Sequence, residues 1–289
     1  MIPKLDYFAP TTLGEALNLL SSISNSRILA GGTDVLTGFH QGSSRFKDVP
    51  ALIDINRIEE ITGIVETDDS LIIGAAANFT SIINNAAAVK YFPSFVAASA
   101  TVGSVQIRNR ATIGGNFVNN APCADGVPSL LVYDAVIKIS SSTATREMPL
   151  GEFLIRPYKT QLMPNEIVTH VILKKYPESY KGSFYKLGRR RGVAISRIAL
   201  ALLGEVKDSI ITDIRVATGA ITPIGKRVPE VEAFLLNKKV EDATLREAAS
   251  VLGQHILDAT GVRWSTPYKL PVAQHVCYSE LSNLFSKEA

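Results

Sequence analysis

The sequence predicts an α+β protein, with an α/β first half and a smaller second half that combines an antiparallel sheet with helices. Up to about residue 177, short strand-like runs alternate with helical patterns. The charge-rich stretch "LKKYPESYKGS", residues 173–183, contains proline and glycine and is the best candidate for a domain boundary. Beyond it, strand-like runs precede helical ones, which is typical of an α+β domain.

The first half opens with a helix. In "TTLGEALNLLSS", Thr11 or Thr12 caps a helix on which Leu13, Leu17 and Leu20 share one face. "SRILAGGTDVLTGF" predicts a strand, a glycine turn and a second helix. Further strands are predicted at "ALIDINRI", "LIIGAA" and "VIKIS", and helices at "NFTSIINN", "YFPSFVAASATVG" and "GVPSLLVYDA", the last with Asp125 as its cap.

The second half begins with strands and ends with helices. "RIALALLGEV" and "IITDIRVATGAI" predict two strands joined by a turn near Lys207 to Ser209. Helices are predicted at "VPEVEAFLLN", "DATLREAASVLGQHI" and "PYKLPVAQHVCYSELSNLF". This order indicates an antiparallel sheet covered by helices.

Composition excludes several classes of function. The chain has 289 residues, of which 46% are apolar, so it can bury a full core. Its net charge is +3 and its basic residues are dispersed except at Arg189 to Arg191, a run left without an assigned role; nucleic acid is not an expected partner. The opening "IPKLDYFAP" does not have the basic and then apolar pattern of a signal peptide, and no run approaches about 18 apolar residues. We therefore expect a soluble, cytoplasmic protein without membrane contact.

The sequence offers no metal site of its own. Its two cysteines, Cys123 and Cys277, show neither CxxC nor Cys/His spacing, so an iron–sulfur cluster or zinc site cannot be assembled. The four histidines also lack mutual ligand spacing. Cys123 is expected to be a small buried filler, and Trp264 is expected to pack within the second domain.

Two segments with adjacent glycines form the candidate binding site. "LAGGTDVL", residues 29–36, lies between a strand and a helix, so its amides favour an anion such as a phosphate. "ATIGGNFVNNAPCAD", residues 111–125, adds Asn and Asp side chains to a similar turn. Each could also be an ordinary tight turn, and neither matches the P-loop or the Rossmann pattern. Together they suit a long dinucleotide held at its pyrophosphate and along its polyol.

Several motifs, spaced along residues 8–285, carry a family resemblance: "LAGGTDVL", "IDINRI", "LIIGAAANFT", "QIRNRATIGGN", "PSLLVYDA" after Asp125, "FYKLGRRRGVAISRIALA" and "ATGAITP". With them the sequence resembles the flavoprotein subunits of the molybdenum hydroxylases, the xanthine dehydrogenase family. The resemblance implies a vanillyl-alcohol-oxidase-type FAD-binding domain with two α/β subdomains, about 1–55 and 56–177. A C-terminal domain at 178–289, like that of carbon monoxide dehydrogenase flavoproteins, would follow.

The resemblance also implies an FAD site. The first glycine turn would wrap the pyrophosphate and the second would supply another clamp. Asp125 matches an acidic position that hydrogen-bonds the cofactor, Val168 an apolar position beside the flavin, and Lys186 a lysine near the polar edge of the ring. Val102 replaces an aromatic residue of the larger family members, so the stacking partner stays open. The implied cofactor-binding residues are Leu29, Ala30, Gly31, Gly32, Thr33, Asp34, Val35, Leu36, Val102, Thr112, Ile113, Gly114, Gly115, Asn116, Asp125, Val168 and Lys186.

By the same resemblance, the chain would carry electrons and would not bind the organic substrate. FAD would take electrons from a partner iron–sulfur subunit and pass them to NAD or another acceptor, while a molybdopterin subunit hydroxylates a purine or N-heterocycle. A heterotrimer, single or doubled, is expected. With only two cysteines, the chain lacks the inserted cluster of benzoyl-CoA-type reductases. Two alternatives stay open: a free-standing FAD oxidase and an assembly subunit without flavin.

Overall fold

The computed structural model describes residues 4–190 and 192–285 of the chain. Its first unit has strands β1 (Asp6–Phe8), β2 (Arg27–Leu29) and β3 (Ala51–Asp54) with helices α1 (Leu13–Ser22) and α2 (Val35–His40). The strands form a parallel sheet in the order β1-β3-β2. Thr12 caps α1 by accepting the amide of Glu15 (3.2 Å), which confirms the predicted helix start.

The second unit is built on a five-stranded antiparallel sheet. The five strands of this sheet are β4 (Ile64–Glu66), β5 (Ser70–Gly74), β6 (Val136–Ser140), β7 (Thr145–Pro149) and β10 (Ile167–Lys174). Between β7 and β10, strands β8 (Leu154–Arg156) and β9 (Lys159–Thr160) form a hairpin. The sheet order is β4-β5-β10-β6-β7, with the β8–β9 hairpin separate. The helices are α3 (Phe79–Ile83), α4 (Ala86–Tyr91), α5 (Pro93–Ala100), α6 (Val105–Arg108), α7 (Ile113–Asn119), α8 (Gly126–Val132) and α9 (Leu150–Phe153). Helices α3 to α8 fill the connection between β5 and β6, so the second glycine turn lies inside that connection.

The third unit contains strands β11 (Lys181–Leu187), β12 (Ile198–Lys207), β13 (Ile210–Gly219) and β14 (Lys226–Arg227), followed by helices α10 (Pro229–Leu235), α11 (Asp242–Thr260) and α12 (Thr266–Phe285). The strands form an antiparallel sheet in the order β11-β12-β13-β14. Asp208 and Ser209 make the turn between β12 and β13 with positive φ angles of 51° and 61°. The strands and helices predicted for the second half are thus confirmed.

The third-unit sheet is buried on both faces. Successive side chains of a strand point to opposite faces. On β12, Ala201 and Leu203 belong to the core of the second unit, while Leu200 and Leu202 belong to the core formed with the C-terminal helices. This double burial explains why "IALALL" is continuously apolar and does not alternate with polar residues.

The second and third units pack closely at α8. A β-carbon placed on Gly219 would lie 2.8 Å from Cγ of Pro128, so the sheet approaches the helix more closely than a larger residue would allow. At the edge of this contact, Asp134 forms ion pairs with Arg215 (3.0 Å) and Arg227 (2.6 Å). Within residues 4–190 and 192–285, no helix is long and apolar enough to cross a membrane.

Candidate functional site

The first glycine turn joins the end of β2 to the start of α2. Gly32 has a φ of 73°, the left-handed region that favours glycine. Asn56 donates its side-chain amide to the carbonyl oxygen of Ala30 (2.7 Å) and so holds the turn from the β3 side. The backbone amides of residues 31–34 have no acceptor among the residues that the structure describes. Consecutive free amides of this kind form a concave donor surface for an anion.

The two glycine turns are packed against each other. A β-carbon on Gly31 would lie 2.1 Å from the carbonyl oxygen of Arg110, so only glycine permits this backbone contact. A β-carbon on Gly115 would lie 3.9 Å from that of Ala30. Segments separated by about eighty residues in the sequence therefore meet in one place.

At the second turn, a side chain and not the backbone amides is available to a ligand. Thr112 caps α7 by accepting the amide of Gly115 (3.1 Å). The amides of residues 113–116 all donate to acceptors within the protein, so none is left for a ligand. Asn116, in contrast, has a buried side-chain oxygen without a partner in the described parts of the chain. Such an unpartnered polar atom is costly unless a ligand or water satisfies it.

A buried ion pair lies at the boundary between the second and third units. Lys186 on β11 donates to Oδ2 of Asp125 (2.6 Å) and to the carbonyl oxygen of Thr101 (2.9 Å). Both charged side chains are only 9% exposed. Ser196, just before β12, donates to the other carboxylate oxygen of Asp125. The structure thus brings together the predicted residues Asp125 and Lys186, in direct contact.

The predicted N-cap position of Asp125 is confirmed, but its side chain does not cap the helix. Asp125 occupies the position that precedes α8, but its side chain caps no amide of that helix, because Lys186 and Ser196 engage both carboxylate oxygens. Burial raises the pKa of Asp125 despite the opposing effect of the Lys186 ammonium and the hydrogen bond from Ser196.

Val102 and Val168 are core residues near the turns. They are 9% and 4% exposed and belong to one apolar cluster. Val102 follows Thr101, whose carbonyl accepts from Lys186. Val168 precedes Thr169 on β10, and the carbonyl of Thr169 accepts the amide of Ala75 (2.8 Å). The carbonyl of Ala75 in turn accepts the amide that begins the second glycine pair (2.8 Å).

The partly exposed carboxylate of Asp34 forms an ion pair with Arg45 (3.0 Å). Arg45 also donates to the side-chain oxygen of Asn119 (2.8 Å), the last residue of α7. One arginine therefore contacts both the first turn and the helix that the second turn begins.

These features agree with comparisons to known proteins. Residues 3–175 match the family described as the FAD binding domain in molybdopterin dehydrogenase. The chain belongs to this family. Residues 183–284 match the CO dehydrogenase flavoprotein C-terminal domain. The chain is thus a flavoprotein subunit of the molybdenum hydroxylase type, which confirms the resemblance, the FAD cofactor and the fold class inferred from the sequence.

Curated relatives cover nearly the whole flavoprotein. The xanthine dehydrogenase FAD-binding subunit of Escherichia coli O157:H7 is 31% identical over 276 residues, 95% of this chain and 94% of that protein. The nicotinate dehydrogenase FAD-subunit of Eubacterium barkeri is 31% identical over 94% of this chain and 93% of that protein. A solved chain of the carbon monoxide dehydrogenase from Hydrogenophaga pseudoflava superposes with a TM-score of 0.93 at 25% identity, covering 100% of both chains.

Other predicted residues have more ordinary surroundings. Arg189 and Arg190 are exposed, and Arg190 donates to the carbonyl oxygens of Gly192 and Val193; Arg191 lies outside the described residues. The expected packing of Trp264 is wrong, since its side chain is 89% exposed. No group of three metal-ligating side chains occurs in the described chain.

Cys123 is half-buried near Asp125 and Lys186. Burial raises the pKa of its thiol, and the nearby carboxylate of Asp125 raises it further. The thiol is therefore protonated and a poor nucleophile at neutral pH, which agrees with a filling role.

Sequence reasoning missed Ser196, Thr101 and Arg45. Ser196 stands inside the quoted motif "GVAISRIALA", so its place in the motif was visible although its partner was not. Thr101 acts through its backbone carbonyl, which has no residue-specific signal. Arg45 lies in an irregular polar stretch, and only the fold brings it to Asn119.

A Gly31→Ala substitution should abolish FAD retention. The added methyl group would collide with the carbonyl oxygen of Arg110 and force the turns apart. FAD content per chain after purification measures the effect. Gly14→Ala is the matched control, because nothing lies within 4 Å of a β-carbon there and alanine favours helix α1. Normal FAD content in Gly31→Ala would contradict the assigned contact.

A Lys186→Met substitution should lower the free energy of unfolding by about 3 kcal/mol at neutral pH, because Asp125 would remain buried without a cation. The pKa of Asp125 is raised in the folded protein, so the folded state binds this proton more tightly than the unfolded state does. The free energy of unfolding therefore decreases as the pH rises and Asp125 loses its proton. The loss should therefore be smaller at pH 5 than at pH 8 in urea unfolding. An Asp125→Asn/Lys186→Met double variant should recover most of the loss; equal losses at both pH values would contradict this account.

Proposed function

We propose that this chain holds FAD between the two glycine turns and serves as the electron-transfer subunit of a molybdenum-containing dehydrogenase. The observation that carries the proposal is the row of acceptor-free amides at residues 31–34, packed directly against the second turn. Such a row fits a pyrophosphate, which is the central anion of a dinucleotide. The unpartnered oxygen of Asn116 fits a hydroxyl-bearing ligand next to it.

The remaining predicted residues have places in this arrangement. An ammonium group has three N–H donors, and the structure gives two of those of Lys186 to Asp125 and Thr101. The third can donate to a polar edge of the flavin. Val102 and Val168 supply apolar surface near the ring, and residues 29–36 and 112–116 surround the pyrophosphate and polyol.

Bound FAD would supply redox chemistry that accepts electrons one at a time and releases them in pairs. The protein's own contribution is positional and electrostatic. Lys186 supplies a positive charge, and its buried hydrogen bond to Asp125 fixes the position of the ammonium group. Ser196 restricts the carboxylate from the other side. No residue of this chain is assigned a proton-transfer step.

Partners and substrate follow from the relatives. We infer an iron–sulfur subunit as electron donor and a molybdopterin subunit as the site of hydroxylation, in a cytoplasmic heterotrimer or doubled heterotrimer. Because the relatives include xanthine and nicotinate dehydrogenase subunits, a purine or N-heterocycle is the proposed substrate class of the complex. NAD or another carrier is the proposed final acceptor. The proposed domains are residues 1–177, with subdomains near 1–55 and 56–177, and residues 178–289.

The purified protein should release close to one FAD per chain. After denaturation, the supernatant would be separated by chromatography against FAD, FMN and AMP standards. A near-stoichiometric FAD peak is expected because the matched family is described as an FAD-binding domain and two separate turns suit a long dinucleotide. Absence of flavin, even after incubation with FAD, would favour an assembly subunit. Failure to co-purify with iron–sulfur and molybdopterin subunits would instead favour a free-standing oxidase.

A Lys186→Met substitution should also lower the flavin midpoint potential by roughly 30–60 mV. One charge-assisted hydrogen bond contributes about 1.5–3 kcal/mol, and about 30 mV corresponds to 1.4 kcal/mol for two electrons. The measurement is a dye-coupled redox titration of the FAD-loaded protein. Lys175→Met is the matched control: Lys175 pairs with Glu66 (2.7 Å) and a backbone carbonyl, away from both turns. An unchanged potential in Lys186→Met would remove Lys186 from the flavin environment.

A further inference from the structure

Asp34 places a carboxylate beside the amides proposed to bind the pyrophosphate. Its own amide is one of the acceptor-free amides at residues 31–34. Its side chain is 42% exposed. A negative charge next to an anion site disfavours the bound anion. The turn therefore needs a cation that offsets this carboxylate without occupying the anion's place.

Arg45 supplies that cation. Its Nη2 lies 3.0 Å from Oδ2 of Asp34, and its Nη1 donates to the side-chain oxygen of Asn119 (2.8 Å). Asn119 is the last residue of α7, whose first turn contains the second glycine pair. The fork of one guanidinium thus spans from the first turn to the far end of α7.

Aromatic packing fixes the orientation of this guanidinium. It lies 4.3 Å from the ring centroid of Tyr158 and 5.0 Å from that of Phe46. The amide of Tyr158 donates to the carbonyl oxygen of Asn120 (3.0 Å), so its ring is tied to the end of α7. Phe46 lies directly on α2, because a β-carbon on Gly38 would be 2.1 Å from its ring. The cation is therefore held in one place by both elements that flank the turns.

Folding stability alone does not account for this arrangement. Arg45 is 32% exposed and Asp34 is 42% exposed, and ion pairs with such exposure contribute little to stability. Because Asp34 carries one of the acceptor-free amides, its pairing with Arg45 points to an electrostatic role toward a ligand.

We propose that Arg45 is a positioning residue for FAD binding. It neutralises Asp34 and holds the first turn against the end of α7, so that a pyrophosphate meets the amides of residues 31–34 without repulsion from the carboxylate. This inference rests on the proposed function, because it requires the anion at those amides to be the pyrophosphate of FAD.

The test compares four forms of the full chain: wild type, Arg45→Met, Asp34→Asn and the Asp34→Asn/Arg45→Met double variant. FAD is titrated into each apo-protein at low ionic strength, and flavin fluorescence reports binding. Arg45→Met should weaken FAD binding about tenfold, since an unpaired carboxylate then faces the anion. Asp34→Asn keeps the backbone amide and leaves Arg45 uncompensated, so it should bind FAD about threefold more tightly than wild type, and the double variant should return to within about threefold of wild type. Added salt should reduce the defect of Arg45→Met.

Arg246→Met is the matched control. Arg246 contacts the carboxylate of Asp242 (2.7 Å) and lies 4.4 Å from the centroid of the Tyr278 ring, with no glycine turn nearby, so FAD affinity should not change. If Arg45→Met does not fold, Arg45→Gln removes the same charge while keeping a donor for Asn119.

Three results would overturn the inference. An Arg45 variant that binds FAD as tightly as wild type would show that the charge does not matter. A double variant as weak as Arg45→Met would indicate a direct or purely structural contact, because removing the carboxylate would bring no recovery. Wild-type protein that binds no FAD would contradict the proposed function itself and remove the basis of this inference, an outcome distinct from the other two.

Discussion

The site depends on one backbone contact, the approach of Gly31 to the carbonyl oxygen of Arg110. A β-carbon at Gly31 would lie 2.1 Å from that oxygen, so no other residue fits between the two segments. The first turn leaves a parallel sheet, and the second begins a helix inside the long connection between β5 and β6. Direct contact between backbones sets the distance between these turns without relying on the rotamer of any side chain.

Around this contact, each carboxylate of the site is matched by a cation. Asp34 pairs with Arg45 and Asp125 pairs with Lys186. With both carboxylates offset, the amides of residues 31–34 leave the first turn with a positive potential. The two pairs differ in their setting. Solvent screens the first pair, whereas the second is only 9% exposed on each side, so loss of either partner would leave a buried charge.

The sequence predicted the parts of the fold that depend on local patterns. Thr12 and the leucines behind it predicted α1, and the turn at Asp208 and Ser209 was placed correctly between β12 and β13. The first glycine pair likewise located its turn, whereas the second pair lies within the first turn of helix α7. Contacts between distant segments were not predictable, because an aspartate before a helix has the same local signal whether it caps the helix or binds a lysine. The sequence therefore located Asp125 at the start of α8 but not its side-chain partners, which come from β11 and the segment before β12.

Trp264 shows a second limit of the sequence prediction, because a large apolar residue is not always buried. It lies in the segment between α11 and α12 and is 89% exposed, and no periodic pattern around it indicates which side faces the core. Strand β11 was hidden for a related reason. Its first residues belong to the charge-rich stretch that predicted a boundary, and only pairing with β12 makes this polar segment a strand.

The buried ion pair of Asp125 and Lys186 joins the second unit to the third. Asp125 begins α8 in the second unit, whereas Lys186 and Ser196 come from the third. Apolar contacts between α8 and the third-unit sheet are not directional, so by themselves they tolerate small shifts between the surfaces. The hydrogen bonds of Asp125 are directional and are satisfied only in one register. A fragment that ended at residue 177 would keep both glycine turns but would expose Asp125 and remove its cation and hydroxyl donor. The two matched families therefore meet at a directional polar contact, to which the C-terminal sheet contributes Lys186.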